Sequence, residues 1–124
     1  MKSEPVARRL NDLMDQPGIT GCALVDTDTG LIWLSSGQVP DDRIWEAAVS
    51  YWRLHRRQHA EFAGLGPLGA AVLYHERGVL AVLPCCSDPD ILMVSLGAHR
   101  GVDWLAWQKR VREFGRFVAL QGRS

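Results

Sequence analysis

The 124-residue chain has few cysteines, no long apolar run and no net charge, and each shortage excludes a class of protein. Its three cysteines include the neighbours Cys85 and Cys86, a poor framework for disulfides that favours a reducing compartment. The longest aliphatic run is about five residues, at 79–83, whereas a membrane-spanning helix needs about 20. The first ten residues contain no apolar stretch, so we expect no signal peptide. We therefore predict a cytoplasmic protein without membrane insertion.

The charges balance, since 14 lysines and arginines are matched by 14 aspartates and glutamates. The second half of the chain is mildly basic, with Arg53, Arg56 and Arg57 close together in the sequence. Nucleic-acid-binding domains are usually basic as a whole, so we predict no nucleic-acid partner. Apolar residues make up 47% and charged residues 23%, which is typical of a globular protein and predicts one domain over 1–124.

Apolar spacing and turn residues predict eight secondary-structure elements. Strands are predicted at 19–26, 31–35, 68–75, 79–84 and 90–96, and helices before residue 16, at 40–62 and after residue 101. Several strands are small or apolar on both faces, as expected when helices cover both sides of a sheet. The order α-β-β-α-β-β-β-α with hairpin turns predicts an α+β fold: an α/β/α sandwich around a five-stranded antiparallel sheet, profilin-like in arrangement.

The second predicted helix has an apolar arc of about 160° on a helical wheel, broader than one sheet face usually needs. Two interpretations are open: a large aromatic core, or a helix that packs on its own sheet and also on a second partner. The third helix has a narrower stripe that includes Trp104, Trp107 and Phe114, which we interpret as core.

Two segments resemble parts of a known domain. The first, 18–36, reads GITGCALVDTDTGLIWLSS, an apolar strand, an acidic turn with glycine and a second strand that ends in small residues. The second, 68–96, holds three apolar strands joined by a Glu-Arg-Gly turn and a polar turn. With the helix order, these segments resemble the Roadblock domain family, which includes the Roadblock dynein light chain and many small bacterial proteins.

The resemblance implies a homodimer in which the third strands of two copies pair and the second helices pack antiparallel across the joined sheet. Residues 42–62 and 68–76 would form that contact. An edge strand that is apolar on both faces also needs a cover, and a twofold contact with a second copy supplies one. The implied interface residues are Trp45, Ala48, Val49, Trp52, His55, Arg56, His59, Leu68, Ala70, Val72 and Tyr74.

The resemblance also implies a non-enzymatic regulatory or scaffold protein of a signalling system. Bacterial members of the family commonly bind or regulate small Ras-like GTPases. The chain has no G-x-x-x-x-G-K-[ST] motif, and its glycine-rich stretch at 64–69 lacks the lysine that would contact phosphate. We therefore predict a protein partner, such as a small Ras-like GTPase, and no cofactor.

Two other functions stay open at this stage. A single sheet flanked by helices can hold a small molecule, which would make the chain a ligand-sensing module. His55 and His59, four residues apart on the predicted helix, share a face and could bind a metal in a small metal-dependent enzyme. No third metal ligand follows at a recognisable spacing, so we predict no metal site.

The cysteines receive a structural interpretation. Cys85 and Cys86 are placed in the turn at 85–89, as a reduced pair beside a strand end, with redox or metal-binding chemistry as the alternative. Cys22 falls within a predicted central strand and is expected to be an inert core residue.

Overall fold

A computed structural model describes residues 3–122. Three α-helices, five strands and one 3-10 helix follow in order: α1 (Ser3–Leu13), β1 (Ile19–Asp26), β2 (Ile32–Gly37), α2 (Arg43–Arg57), the 3-10 helix (His59–Leu65), β3 (Ala71–His75), β4 (Gly78–Ser87), β5 (Asp90–Gly97) and α3 (Trp104–Gly122). Within this range no helix combines the length and the apolar character that crossing a bilayer requires.

The five strands form one antiparallel sheet in the order β2-β1-β5-β4-β3. Helices α1 and α3 pack on one face of the sheet, and α2 packs on the other. Strands β1, β4 and β5 are therefore covered on both sides. This explains why the residues that point to either face of these strands are small or apolar. The predicted fold class, an α/β/α sandwich with this element order, is confirmed.

The core beneath α1 and α3 follows from helical spacing. Val6 and Leu10 of α1 are buried four residues apart, and Trp107, Val111 and Phe114 of α3 follow at intervals of four and three. Such spacing places side chains on one helix face, turned toward the sheet. The interpretation of Trp107 and Phe114 as core residues is confirmed.

One buried hydrogen bond crosses this core. The indole Nε1–H of Trp107 donates to Ser95 Oγ at 2.8 Å, and both residues are fully buried. Ser95→Ala would leave the indole N–H without an acceptor in the core. We expect the free energy of unfolding to fall by about 1–3 kcal/mol, measured by urea denaturation. Ser50→Ala, at an exposed position of α2, serves as control and should change the free energy of unfolding by less than about 0.5 kcal/mol. Equal effects of the two substitutions would contradict this role.

Helix α2 is shorter than predicted, which is a correction. It ends at Arg57, where the Gln58 N–H bonds to the carbonyls of His55 and Arg56, and a 3-10 helix follows from His59. The apolar periodicity continued past residue 57, so it predicted one helix to about residue 62. The glycines at 64 and 66 disfavour a continued α-helix. The third strand likewise begins at Ala71 and not at residue 68.

The second correction concerns Cys85 and Cys86, which lie within β4 and not in a turn. Strand β4 runs to Ser87, and only residues 88 and 89 separate it from β5. The register shifts between Pro84, opposite Leu92, and Cys86, opposite Ile91. Cys85 is the extra residue of a β-bulge. A bulge depends on the partner strand, and local turn signals could not predict it.

The acidic turn after β1 is organised by Asp26. Its Oδ1 accepts hydrogen bonds from the N–H groups of Asp28 at 3.0 Å and Thr29 at 2.9 Å. The bond from the Thr29 backbone is the main cause that lowers the pKa of Asp26 below its ordinary value of 3.8. Because the folded pKa is depressed, this carboxylate stabilises the fold above the unfolded value, and the contribution is lost as the pH falls through the folded pKa.

Asp26→Asn tests this contribution. We expect the variant to be less stable than the wild type at about pH 6, and the difference to shrink toward about pH 3. Urea unfolding across this pH range measures the difference in stability. Asp12→Asn, at an exposed position of α1, is the control for the loss of a surface carboxylate. A difference between wild type and Asp26→Asn that stays constant over the range would contradict the prediction.

Candidate interaction surface

Strand β3 forms one edge of the sheet and hydrogen-bonds only to β4. The pairing runs from Ala71 opposite Val82 to His75 opposite Gly78, and within residues 3–122 no strand lies on its outer side. On the face away from α2, Val72 is 39% and Tyr74 71% exposed. An edge strand with free backbone groups and exposed apolar side chains is a template for another strand.

Helix α2 has a second apolar stripe beside its buried one. Ala47, Tyr51 and Leu54 point outward at intervals of four and three, with Tyr51 57% and Leu54 47% exposed. This spacing is the one by which helices pack against other helices. Polar side chains such as Ser50 and Arg57 lie beside it. The outward stripe therefore forms a seam suited to a partner helix.

A groove of about 330 Å³ joins the two elements. Ala47 and Tyr51 form its helical wall, and Leu73 and His75 form its strand wall. Further lining comes from Pro40, Ile44, Ala48, Arg77, Gly78, Leu80 and Leu96. We call the outward stripe of α2, the groove and the exposed side of β3 together the α2–β3 surface.

The 3-10 helix lies over a smaller hollow at the end of α2. The rings of His55 and Phe62 stack with centroids 4.5 Å apart, and a ring nitrogen of His59 lies 3.1 Å from the carbonyl oxygen of Arg56. His59 begins the 3-10 helix and is not part of α2, but it lines the same hollow as His55. Among the residues that the structure describes, no three His, Cys, Asp or Glu side chains are grouped to hold a metal.

Two arginines fix the C-terminal end of α2 to the sheet. Arg53 Nε donates to the Thr27 carbonyl at 2.8 Å, and Arg56 pairs with Asp90 at 2.8 Å. The hydrogen bond to Asp90 is the main cause that raises the pKa of Arg56. Thr27 Oγ1 also donates to Asp90 at 2.9 Å. Such partly exposed pairs contribute little stability.

The structure divides the predicted interface residues into several groups. Trp45, Ala48, Val49 and Trp52 are at most 8% exposed and pack on the chain's own sheet, so they are core residues in a single copy. Their side chains therefore leave little surface for a second copy, and their predicted place in an interface stays a prediction. Arg56 is bound to Asp90, and His55 is half-buried under Phe62.

The remaining predicted residues lie nearer the edge. Leu68 and Ala70 precede β3 and are half-buried, whereas Val72, Tyr74 and His59 are exposed. The sequence prediction missed Ala47 and Leu54 and did not assign Tyr51 to the interface. Of these three residues only Tyr51 fell within the broad apolar arc of the predicted helix, so the four-and-three spacing that joins it to Ala47 and Leu54 was not recognised.

Comparison with solved structures identifies the fold. A Roadblock/LC7 domain from Streptomyces avermitilis matches with a TM-score of 0.80 and 18% identity, over 95% of this chain and 98% of that one. MglB from Myxococcus xanthus matches at 0.76 and 13% identity over 97% and 96%, and the gliding protein MglB from Thermus thermophilus at 0.75 and 16% over 95% and 90%. Neither a family model nor a curated protein matches the chain. The matches span almost the whole sheet and all three helices, and the chain therefore has the Roadblock fold.

Proposed function

We propose that the chain is a non-enzymatic, homodimeric regulatory or scaffold protein that binds a small Ras-like GTPase. The observation that carries this proposal is the Roadblock fold over 95% of the chain, combined with an α2–β3 surface that one copy leaves uncovered. The role itself comes from the family resemblance, since bacterial Roadblock proteins commonly serve small GTPases. Fold alone does not fix function, so the partner needs a direct test.

The dimer would form through the α2–β3 surface. Two β3 edges related by a twofold axis can continue the ladder antiparallel and satisfy each other's free backbone groups. The same axis brings the two outward stripes of α2 together, so that Tyr51 and Leu54 of each copy lose contact with water. A strand and a helix that join at one groove make a continuous patch, which a stable interface requires. One solved MglB structure is described as a tetrameric arrangement, which supports association beyond a single copy.

The GTPase would be recognised as a folded protein, because the chain has no phosphate-binding loop of its own. The experiment uses purified Ras-like GTPases encoded near the chain's own gene, loaded with GDP or with a non-hydrolysable GTP analogue. Isothermal titration against the intact chain should give a Kd of about 10 μM or lower for one nucleotide state. Absence of binding in both states would overturn the GTPase role. Hydrolysis of nucleotide by the chain alone would overturn its non-enzymatic character.

A ligand-sensing module is the second candidate, and the groove between α2 and β3 is the observation that favours it. Its volume of about 330 Å³ is at the small end of ligand sites, and its walls are mostly apolar. A thermal-shift screen with small apolar molecules distinguishes the two functions. A ligand that raises the melting temperature of the wild type but not of a variant with Ala47→Trp would favour sensing.

A further inference from the structure

The bulge in β4 brings two neighbouring thiols to the same place. In a regular strand Cys85 and Cys86 would point to opposite faces of the sheet. Cys85 is instead the unpaired residue of the bulge, and the side chains of both cysteines pack on the core beneath α1 and α3 and line one open cavity. The Sγ of Cys86 also donates to the carbonyl oxygen of Pro89 at 3.1 Å. The two side chains therefore lie on the same face of the sheet, and that of Cys86 is anchored by the following turn.

Packing against α3 holds this arrangement in position. The carbonyl of Cys85 lies so close to Gly115 that a methyl group on that glycine would be 1.7 Å from the oxygen. Helix α3 thus clamps the Cys85 peptide, and the side chain of Cys85 is buried beneath it. The backbone at Cys85 is therefore held in place by tertiary structure.

The two thiols differ in access and in acidity. Cys86 is half-buried and lines an open cavity of about 510 Å³, together with Arg112 and Arg116 of α3. The interaction with the neighbouring thiol lowers the pKa of Cys86, although partial burial and the charges of Asp90 and Asp88 act to raise it. The same interaction raises the pKa of Cys85, and burial raises it further. Cys86 is therefore the thiol that solvent reaches in its reactive form.

We propose that Cys85 and Cys86 form an oxidation site for small hydroperoxides, with Cys86 as the attacking thiol and Cys85 as the resolving thiol. The Cys86 thiolate attacks one peroxide oxygen; an S–O bond forms, the O–O bond breaks, and hydroxide leaves. The thiol of Cys85 then gives its proton to that hydroxide and attacks the Cys86 sulfur, which forms the S–S bond and releases the second oxygen as hydroxide. With the proton that solvent supplies, the peroxide is reduced by two electrons to water, and the thiol pair is oxidised by two.

Cys22 provides an internal control for this site. It is fully buried, burial raises its pKa to about 12, and its Sγ contacts the sulfur of Met14 at 3.5 Å. Because peroxide reacts with accessible thiolates, we expect the Cys22 thiol to stay reduced. This inference does not rest on the proposed function, because the pair lies at the end of the sheet where β4 meets β5 and not on the α2–β3 surface.

The test treats the reduced full-length chain with hydrogen peroxide at low molar excess, then blocks free thiols with N-ethylmaleimide and maps the peptides by mass spectrometry. The expected product has lost two hydrogens within the peptide that holds Cys85 and Cys86, while Cys22 is alkylated after unfolding. A reductant such as dithiothreitol should restore both thiols. Recovery of Cys86 fully alkylated after peroxide, or oxidation that starts at Cys22, would overturn the proposal.

Two variants assign the roles within the pair. In Cys85→Ser the reaction should stop at a sulfenic acid on Cys86 that dimedone traps, and in Cys86→Ser no dimedone adduct should form at Cys85. Circular dichroism verifies that each variant is folded, and the peptide mapping of the wild type stands even where a variant is not. A dimedone adduct on Cys85 in Cys86→Ser, or a disulfide between chains in the wild type, counts against the assignment.

Discussion

Leu54→Arg is expected to convert the proposed dimer into a folded monomer. Leu54 is the last residue of the outward stripe of α2, is 47% exposed in a single copy and is not among the core residues. Complete burial of a leucine side chain stabilises an interface by about 1.5–3 kcal/mol. Each interface residue occurs twice in a twofold dimer, so the substitution acts at two places. Loss of two half-exposed leucines and the repulsion of two arginines should weaken association at least about 100-fold. Sedimentation velocity over a range of concentrations measures the change.

Leu105→Arg is the matched control, because Leu105 is 80% exposed on α3, on the opposite face of the sheet. It introduces the same charge on a helix surface and should leave the dimer intact. Val72→Arg tests the strand half of the same interface, since two arginines would face each other across paired β3 edges. If Leu54→Arg remains a dimer at the concentrations at which Leu105→Arg does, the α2–β3 surface is not the interface.

The element order could be predicted because each element has a local signature. Glycine, proline and aspartate mark the turns. The strands from residue 19 to 26 and from 90 onward have small or apolar residues at alternating positions on both faces, which only a sheet covered on both sides explains. These signals depend on chain neighbours alone. The order of elements then leaves few topologies, and the structure confirms the antiparallel five-stranded sheet.

The interface and the bulge could not be predicted because they depend on distant parts of the chain. Which side of α2 faces the sheet is decided by Trp45 and Trp52, the large side chains that the core accommodates, and by the contact of Arg53 with the turn after β1. Tyr51 is as aromatic as its neighbour Trp52 but points outward. The bulge at Cys85 exists only in register with β5. Two neighbouring apolar stripes on α2 leave open which of them faces the sheet, and a bulge shifts the register in a way that the local sequence does not show.

The close approach of α3 to β4 leads to the largest expected loss of stability. Gly115 is buried, and a Cβ there would lie 1.7 Å from the carbonyl oxygen and 2.7 Å from the carbonyl carbon of Cys85. Both are backbone atoms, so no side chain can rotate away. Gly115→Ala must therefore push α3 off the sheet or distort the bulge. The same substitution in a free helix would be favourable by about 1 kcal/mol, which offsets only part of this strain.

We expect Gly115→Ala to lower the free energy of unfolding by about 3 kcal/mol or more, measured by urea denaturation. Gly64→Ala is the matched control, because no atom lies within 4 Å of the position where its Cβ would be. That substitution should be neutral or stabilise the fold by up to about 1 kcal/mol. Equal stability of the two variants would mean that α3 does not sit on the bulge.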